Sequence, residues 1–162
     1  MDNIDIKDGL PKVGFVVDSL LSSQLAYTMV YNMNDWLDKH YEVSFALFYQ
    51  EQWLPSLWPA CSQYHLSEAV AFDGSLVATS LSTAFSIKNA TRAKRFFYIQ
   101  DLYHLRPHTD GKVWESVMND RDIRKFTRSV DHHDELEKSG YDIEHNVVPS
   151  FEIEKILEIT NA

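Results

Sequence analysis

The sequence predicts an α/β fold: one mostly parallel sheet, in a single domain, with helices packed on both faces. Three observations predict it. Short, nearly continuous apolar runs alternate along the chain with segments whose apolar residues recur at helical spacing. Strands that are apolar throughout are strands covered on both faces, as parallel sheets are. The segments between runs supply the crossover helices that parallel order requires. Length agrees, since 162 residues suit one domain large enough to bury a core without a disulfide or metal staple.

The elements follow in order. Residues 1–11 are polar and acidic and read as a flexible tail, leaving 12–162 as the folded domain. Lys12 to Asp18 (KVGFVVD) is the first apolar run and reads as a strand. From Ser23 to His40, Leu25, Met29, Met33, Trp36 and Leu37 fall on one helical face, with Ser22 as the expected N-cap. Glu42 to Tyr49 is a second strand. The stretch EQWLPSLWPA that follows holds two prolines and reads as a loop, with Trp53 and Trp58 flanking Pro55. Ser62–Leu66 reads as a short strand, Ser67–Phe72 as a short helix and Asp73-Gly74 as a turn. Ser75 to Ser80 is a strand, and Leu81 to Asn89 a helix capped by Ser80 or Ser82. Arg95 to Gln100 is an aromatic-rich strand, and Asp101 to Gly111, with Pro107, a loop. Lys112 to Asn119 is a short helix and Ile123 to Ser129 a strand. Asp131 to Ser139 is a helix stopped by Gly140, and Asn146 to Val148 a last strand. Phe151 to Ile159 is a terminal helix.

Composition narrows the function classes. The 15 Lys+Arg against 24 Asp+Glu give a net charge of -9, which disfavours a large nucleic-acid footprint. The single cysteine, Cys61, forms no internal disulfide and suits a reducing, cytoplasmic compartment. The N-terminus resembles no targeting peptide, and no apolar run approaches a membrane span, so no membrane partner is expected.

In open α/β sheets ligands bind at the carboxyl ends of the strands, so the residues after each run are the candidates. They are Asp18, Ser19, Ser22, Ser23 and Gln24; then Thr79, Ser80, Ser82 and Thr83; then Asp101, Tyr103, His104 and Arg106; then Arg128, Ser129, Asp131 and His132. Hydroxyls, carboxylates, imidazoles and arginines suit a polyhydroxylated or phosphorylated ligand near helix N-termini. The same serines also serve as helix N-caps. Three motifs are missing. The turn after the first run is D-S-L-L-S-S-Q, with Gly14 inside the strand, so it is not G-x-G-x-x-G. There is no P-loop and no G-x-S-x-G elbow. The cluster Asp131-His132-His133-Asp134 has the wrong spacing for one helical face, and Pro107 separates His104 from His108. No metal is expected, with His132 near the carboxyl edge and His133 solvated.

Four segments carry a resemblance: S-S-Q-L-A-Y (Ser22–Tyr27), A-T-S-L-S-T-A (Ala78–Ala84), F-Y-x-x-D-L (Phe97–Leu102) and R-S-x-D-H (Arg128–His132). Over about Lys12 to Ile159 the chain resembles the small glycosyltransferase-like proteins of tailed bacteriophages, the T4-like group and its cyanophage relatives. Members resemble one Rossmann-like half of a GT-B glycosyltransferase. Arg128-Ser129, the following helix and Val147-Val148-Pro149-Ser150 match the end of an acceptor half, except that Phe151 stands where an Asn-Gly turn would lie. The resemblance implies a nucleotide-sugar co-substrate, no resident cofactor, and a second copy or partner subunit to close the site. It implies a base for the acceptor hydroxyl, for which Asp101, Asp18 and His132 are the candidates. It also implies groups that hold the ligand: Ser19, Ser22, Ser23, Gln24, Ser80, Ser82, Thr83, Arg128 and Ser129, with Arg128 and the Ser129 turn toward phosphate. A modified DNA base or another glycoside is the expected acceptor. Two further readings stay open. One is a non-catalytic module that binds a nucleotide, a sugar or a host protein, with the Trp53/Trp58 loop as its surface. The other is direct DNA binding, against which the net charge weighs.

Overall fold

The computed structural model describes residues 12–19, 23–40, 43–51 and 57–162. The expected tail, Ser22, Trp53 and Pro55 lie outside the described residues. Among these residues six strands form one sheet: β1 (Lys12–Ser19), β2 (Ser44–Glu51), β3 (Ser62–His65), β4 (Ser75–Ala78), β5 (Lys94–Ile99) and β6 (Ile123–Thr127). Their order is β3-β2-β1-β4-β5-β6 and every neighbouring pair is parallel. This is the doubly wound, Rossmann-like order, in which the chain reverses its direction of growth between β1 and β4.

Among the described residues five α-helices cover the sheet: α1 (Gln24–Lys39), α2 (Leu81–Ser86), α3 (Gly111–Met118), α4 (Val130–Lys138) and α5 (Ile153–Asn161). Alternation along the strands divides the core into two halves. Val13, Phe15 and Val17 of β1 join Phe96, Tyr98 and Phe126 on the face covered by α1 and α5, through Met29, Met33, Ile156 and Leu157. Val16, Leu76, Ala78, Phe97 and Ile99 face the other way. They meet Leu81 and Ala84 of α2, Trp114 and Val117 of α3, and Leu136 of α4. The result is a three-layer domain.

β1 is the central strand, and its Gly14 is dictated by packing. A Cβ there would lie 2.7 Å from the Phe48 ring and 2.9 Å from Leu76, side chains of β2 and β4 on either side. The glycine therefore serves close strand packing, not a phosphate turn.

Several expectations are corrected. Ser23, extended at φ -138 and ψ 153, caps α1 by accepting from the Ala26 N–H at 3.1 Å, the role expected of Ser22. The expected short helix at Ser67–Phe72 is present, one residue earlier, as a 3-10 helix over Leu66–Ala71. Of the two caps expected for α2, Ser80 takes the role, and the helix tightens to 3-10 at Ile87–Asn89. Asn146–Val148 makes no strand but a single bridge, Thr127 to Val147. The terminal helix begins at Ile153 because Ser150 and Phe151 both adopt left-handed φ, 51° and 52°, which no helix continues through. α4 does end before Gly140, whose φ of +88 is the left-handed stop that glycine takes without a Cβ penalty.

Candidate functional site at the carboxyl edge of the sheet

At the carboxyl ends of β1 and β4 the backbone is pinned. Thr79 is buried, and both its N–H and its hydroxyl donate to the Val16 carbonyl, at 3.1 and 2.9 Å. This ties the two strands together where a doubly wound sheet opens its crevice. The crevice is a depression of about 360 Å³ lined by Asp18, Ser19, Ser23, Leu25, Thr79, Ser80, Tyr103 and Phe151, among others. Asp18 is exposed and accepts a hydrogen bond from the Ser82 hydroxyl on the first turn of α2. The Tyr103 hydroxyl is pushed up to about 12 by burial first and the Asp18 charge second, so it stays a donor at neutral pH.

A second depression, of about 590 Å³, adjoins the first and shares Leu25 and Phe151 with it. Its wall is made by Gln24 and Thr28 of α1, Gln100 after β5, Arg128 and Ser129 after β6, and the Pro149–Phe151 turn. That turn is held in its left-handed conformation from two sides. Asn32 of α1 donates to the Ser150 and Phe151 carbonyls at 2.7 and 3.1 Å. The buried Tyr98 hydroxyl donates to the Val148 carbonyl and accepts from the Phe151 N–H at 3.4 Å. Burial pushes Tyr98 up to about 12, so it remains protonated. Two adjacent non-glycine residues at positive φ carry strain, and strain of this kind gathers at ligand sites.

Of the residues singled out in the sequence, Asp18, Ser19, Ser23 and Ser80 come together in the first depression, and Gln24, Arg128 and Ser129 in the second. Thr83 is fully buried and completes a capping box with Ser80, so its role is structural. Ser129 caps α4 by accepting from the His132 N–H at 3.2 Å. Asp101 lines neither described depression. It accepts from the Leu102 N–H at 2.8 Å and forms an ion pair with Arg106, so its carboxylate is already engaged. His104 stacks on Trp114 with ring centroids 5.2 Å apart. His132 is half-buried, and burial first and Arg128 second hold its pKa below the ordinary imidazole value, which keeps it neutral.

His133 is a correction: it is 9% exposed, not solvated. The run Asp131–Asp134 supplies only two members of a close group, which Glu137 completes. One ligand atom each of His133, Asp134 and Glu137 lies within 4.8 Å of the others, because residues four apart share a helix face and the Asp134 carboxylate folds back to the His133 ring at 3.3 Å. Both carboxylates are exposed, as on many solvated helix faces. Gln100, Thr28 and the Ser150–Phe151 turn escaped the sequence reading. Gln100 was counted as the last residue of a strand, and left-handed φ at a serine and a phenylalanine has no sequence signal. No described helix is long and apolar enough to cross a membrane.

The chain matches no known protein family, and no curated protein and no solved structure is similar to it.

Proposed function

We propose that this domain binds a nucleotide-sugar along the carboxyl edge of its sheet and is glycosyltransferase-like, a second copy or a partner subunit closing the site for transfer. The observation that carries the reading is a depression at the reversal point of a doubly wound sheet with a second adjoining it at the ends of β5 and β6, the two lined by hydroxyls, one carboxylate and one arginine. In transfer, the bond between the sugar C1 and the diphosphate oxygen breaks and a bond from C1 to the acceptor oxygen forms. The acceptor proton passes to a base and the diphosphate leaves as an anion. Asp18 is the best-placed base, because it lines the crevice and is exposed. Asp101 is less suited, since Arg106 and the Leu102 N–H occupy it. The reading requires no resident cofactor.

The test is calorimetry with UDP-, GDP- and ADP-sugars, followed by mass analysis of incubations with nucleoside and glycoside acceptors. Binding heat with one donor class supports the reading, and no heat with any of them at millimolar concentration would sink it. The engaged Asp101 favours a second reading, a binding module of the same ancestry without catalysis. Binding of a nucleotide-sugar with no transferred product, in a sample shown to be assembled, selects that one.

A further inference from the structure

The two depressions differ in charge, and the difference orients the ligand. We infer that the second depression is an anion subsite for the phosphate groups, and that the hydroxyls of the transferred sugar lie at Asp18 in the first; this rests on the nucleotide-sugar reading above. In the first depression the charged side chain is a carboxylate, flanked by the Ser23 and Ser80 hydroxyls and the Tyr103 donor. A carboxylate accepts hydrogen bonds from sugar hydroxyls and repels phosphate. In the second depression the charged side chain is the exposed Arg128, which makes no hydrogen bond or ion pair among the described residues. Guanidinium is the donor best matched to phosphate oxygens.

An independent group points to the same place. Gln100 is 8% exposed, lines this depression, and its buried Nε2 has no hydrogen-bond partner. The Gln100 carboxamide interacts with the Tyr98 hydroxyl strongly enough to lower its pKa against the larger rise from burial, but that oxygen already donates to Val148 and accepts from Phe151, and Nε2 makes no hydrogen bond of normal geometry. A buried donor left without a partner is costly, and a bound oxyanion would satisfy it. The first turn of the nine-residue α4 opens here too. Ser129 takes the His132 N–H, and the earlier N–H groups have no partner within the helix. Asp131 in that turn is exposed and opposes anion binding, so Arg128 and Gln100 carry the site.

The experiment titrates the isotope-labelled full chain with inorganic pyrophosphate, then with UDP-glucose and GDP-mannose, and follows amide shifts. Pyrophosphate is expected to shift the Ser129, Val130 and Asp131 amides and the Gln100 side-chain amide, leaving Thr79 and Ser80 in place. Arg128→Ala is expected to weaken it by roughly tenfold or more, the scale of one charge-assisted hydrogen bond. Gln100→Leu is expected to weaken it as well. Asp18→Asn is expected to leave pyrophosphate affinity unchanged. No shift at Ser129–Asp131, or equal affinity in Arg128→Ala, overturns the subsite. A nucleotide-sugar that binds with full affinity to Arg128→Ala overturns the subsite and leaves the nucleotide-sugar reading standing. Pyrophosphate binding as described, with neither nucleotide-sugar binding, supports the subsite and overturns that reading.

Discussion

Tyr98 shows how much of this site depends on single atoms. Its hydroxyl donates to Val148 and accepts from Phe151, in a fully buried position between Phe126 and Phe151. Tyr98→Phe keeps the ring packing but leaves a buried carbonyl and N–H without a partner. Chemical denaturation should show a loss of about 1–3 kcal/mol. His132 carries a pH dependence. Its folded pKa lies below the ordinary 6.5, so below that pH the unfolded chain binds more protons than the folded one. Stability is therefore full above pH 6.5 and is lost as pH falls through the lowered value. Melting temperature followed from pH 7 to pH 5 should fall less steeply in His132→Gln than in the parent. Cys61 is set the other way. Burial pushes its thiol up to about 11, so the nucleophilic thiolate is scarce at neutral pH. A chromogenic disulfide reagent should label it many times more slowly in the folded protein than in denaturant.

At the scale of elements, β1 holds the site in place. It pairs with β2 and β4 and ends at Asp18 and Ser19. Its spacing to both neighbours depends on the missing side chain of Gly14, with Phe48 and Leu76 within 3 Å of where a Cβ would be. Gly14→Ala should cost about 1–3 kcal/mol in urea denaturation, the usual penalty for overpacking a core. An unchanged midpoint would mean that β1 can shift to make room. The Pro149–Phe151 turn plays the matching part on the other side. It packs against α1 through Asn32 and gives its backbone to the wall of the second depression.

For the whole molecule the question is closure. Both depressions sit on the open carboxyl edge of one three-layer domain, and the proposed sugar transfer needs water excluded around the departing diphosphate. Sedimentation velocity should show a species heavier than the 18.8 kDa monomer, enriched when a nucleotide-sugar that binds is added. A strict monomer in both conditions that still turns over substrate would remove the need for a second subunit.

The sequence by itself determined the layers. Apolar runs such as KVGFVVD and RFFYIQ name strands covered on both faces, and hydroxyl clusters after them name helix starts, because burial and capping are local demands on residue type. It also named Asp18, Ser80, Arg128 and Ser129 as edge residues, since strand ends can be counted along the chain. Only the tertiary structure decided the strand order, and with it which edge residues meet. Asp18 of β1 faces Ser80 after β4, while Arg128 after β6 shares a wall with Gln24 of α1. The engagement of Asp101 by Arg106 and the burial of His133 were decided there as well. So was the left-handed turn at Ser150 and Phe151. The physical reason is the same in each case. These features depend on contacts between residues far apart in the chain or on backbone strain that packing holds, and neither leaves a pattern in residue type or spacing.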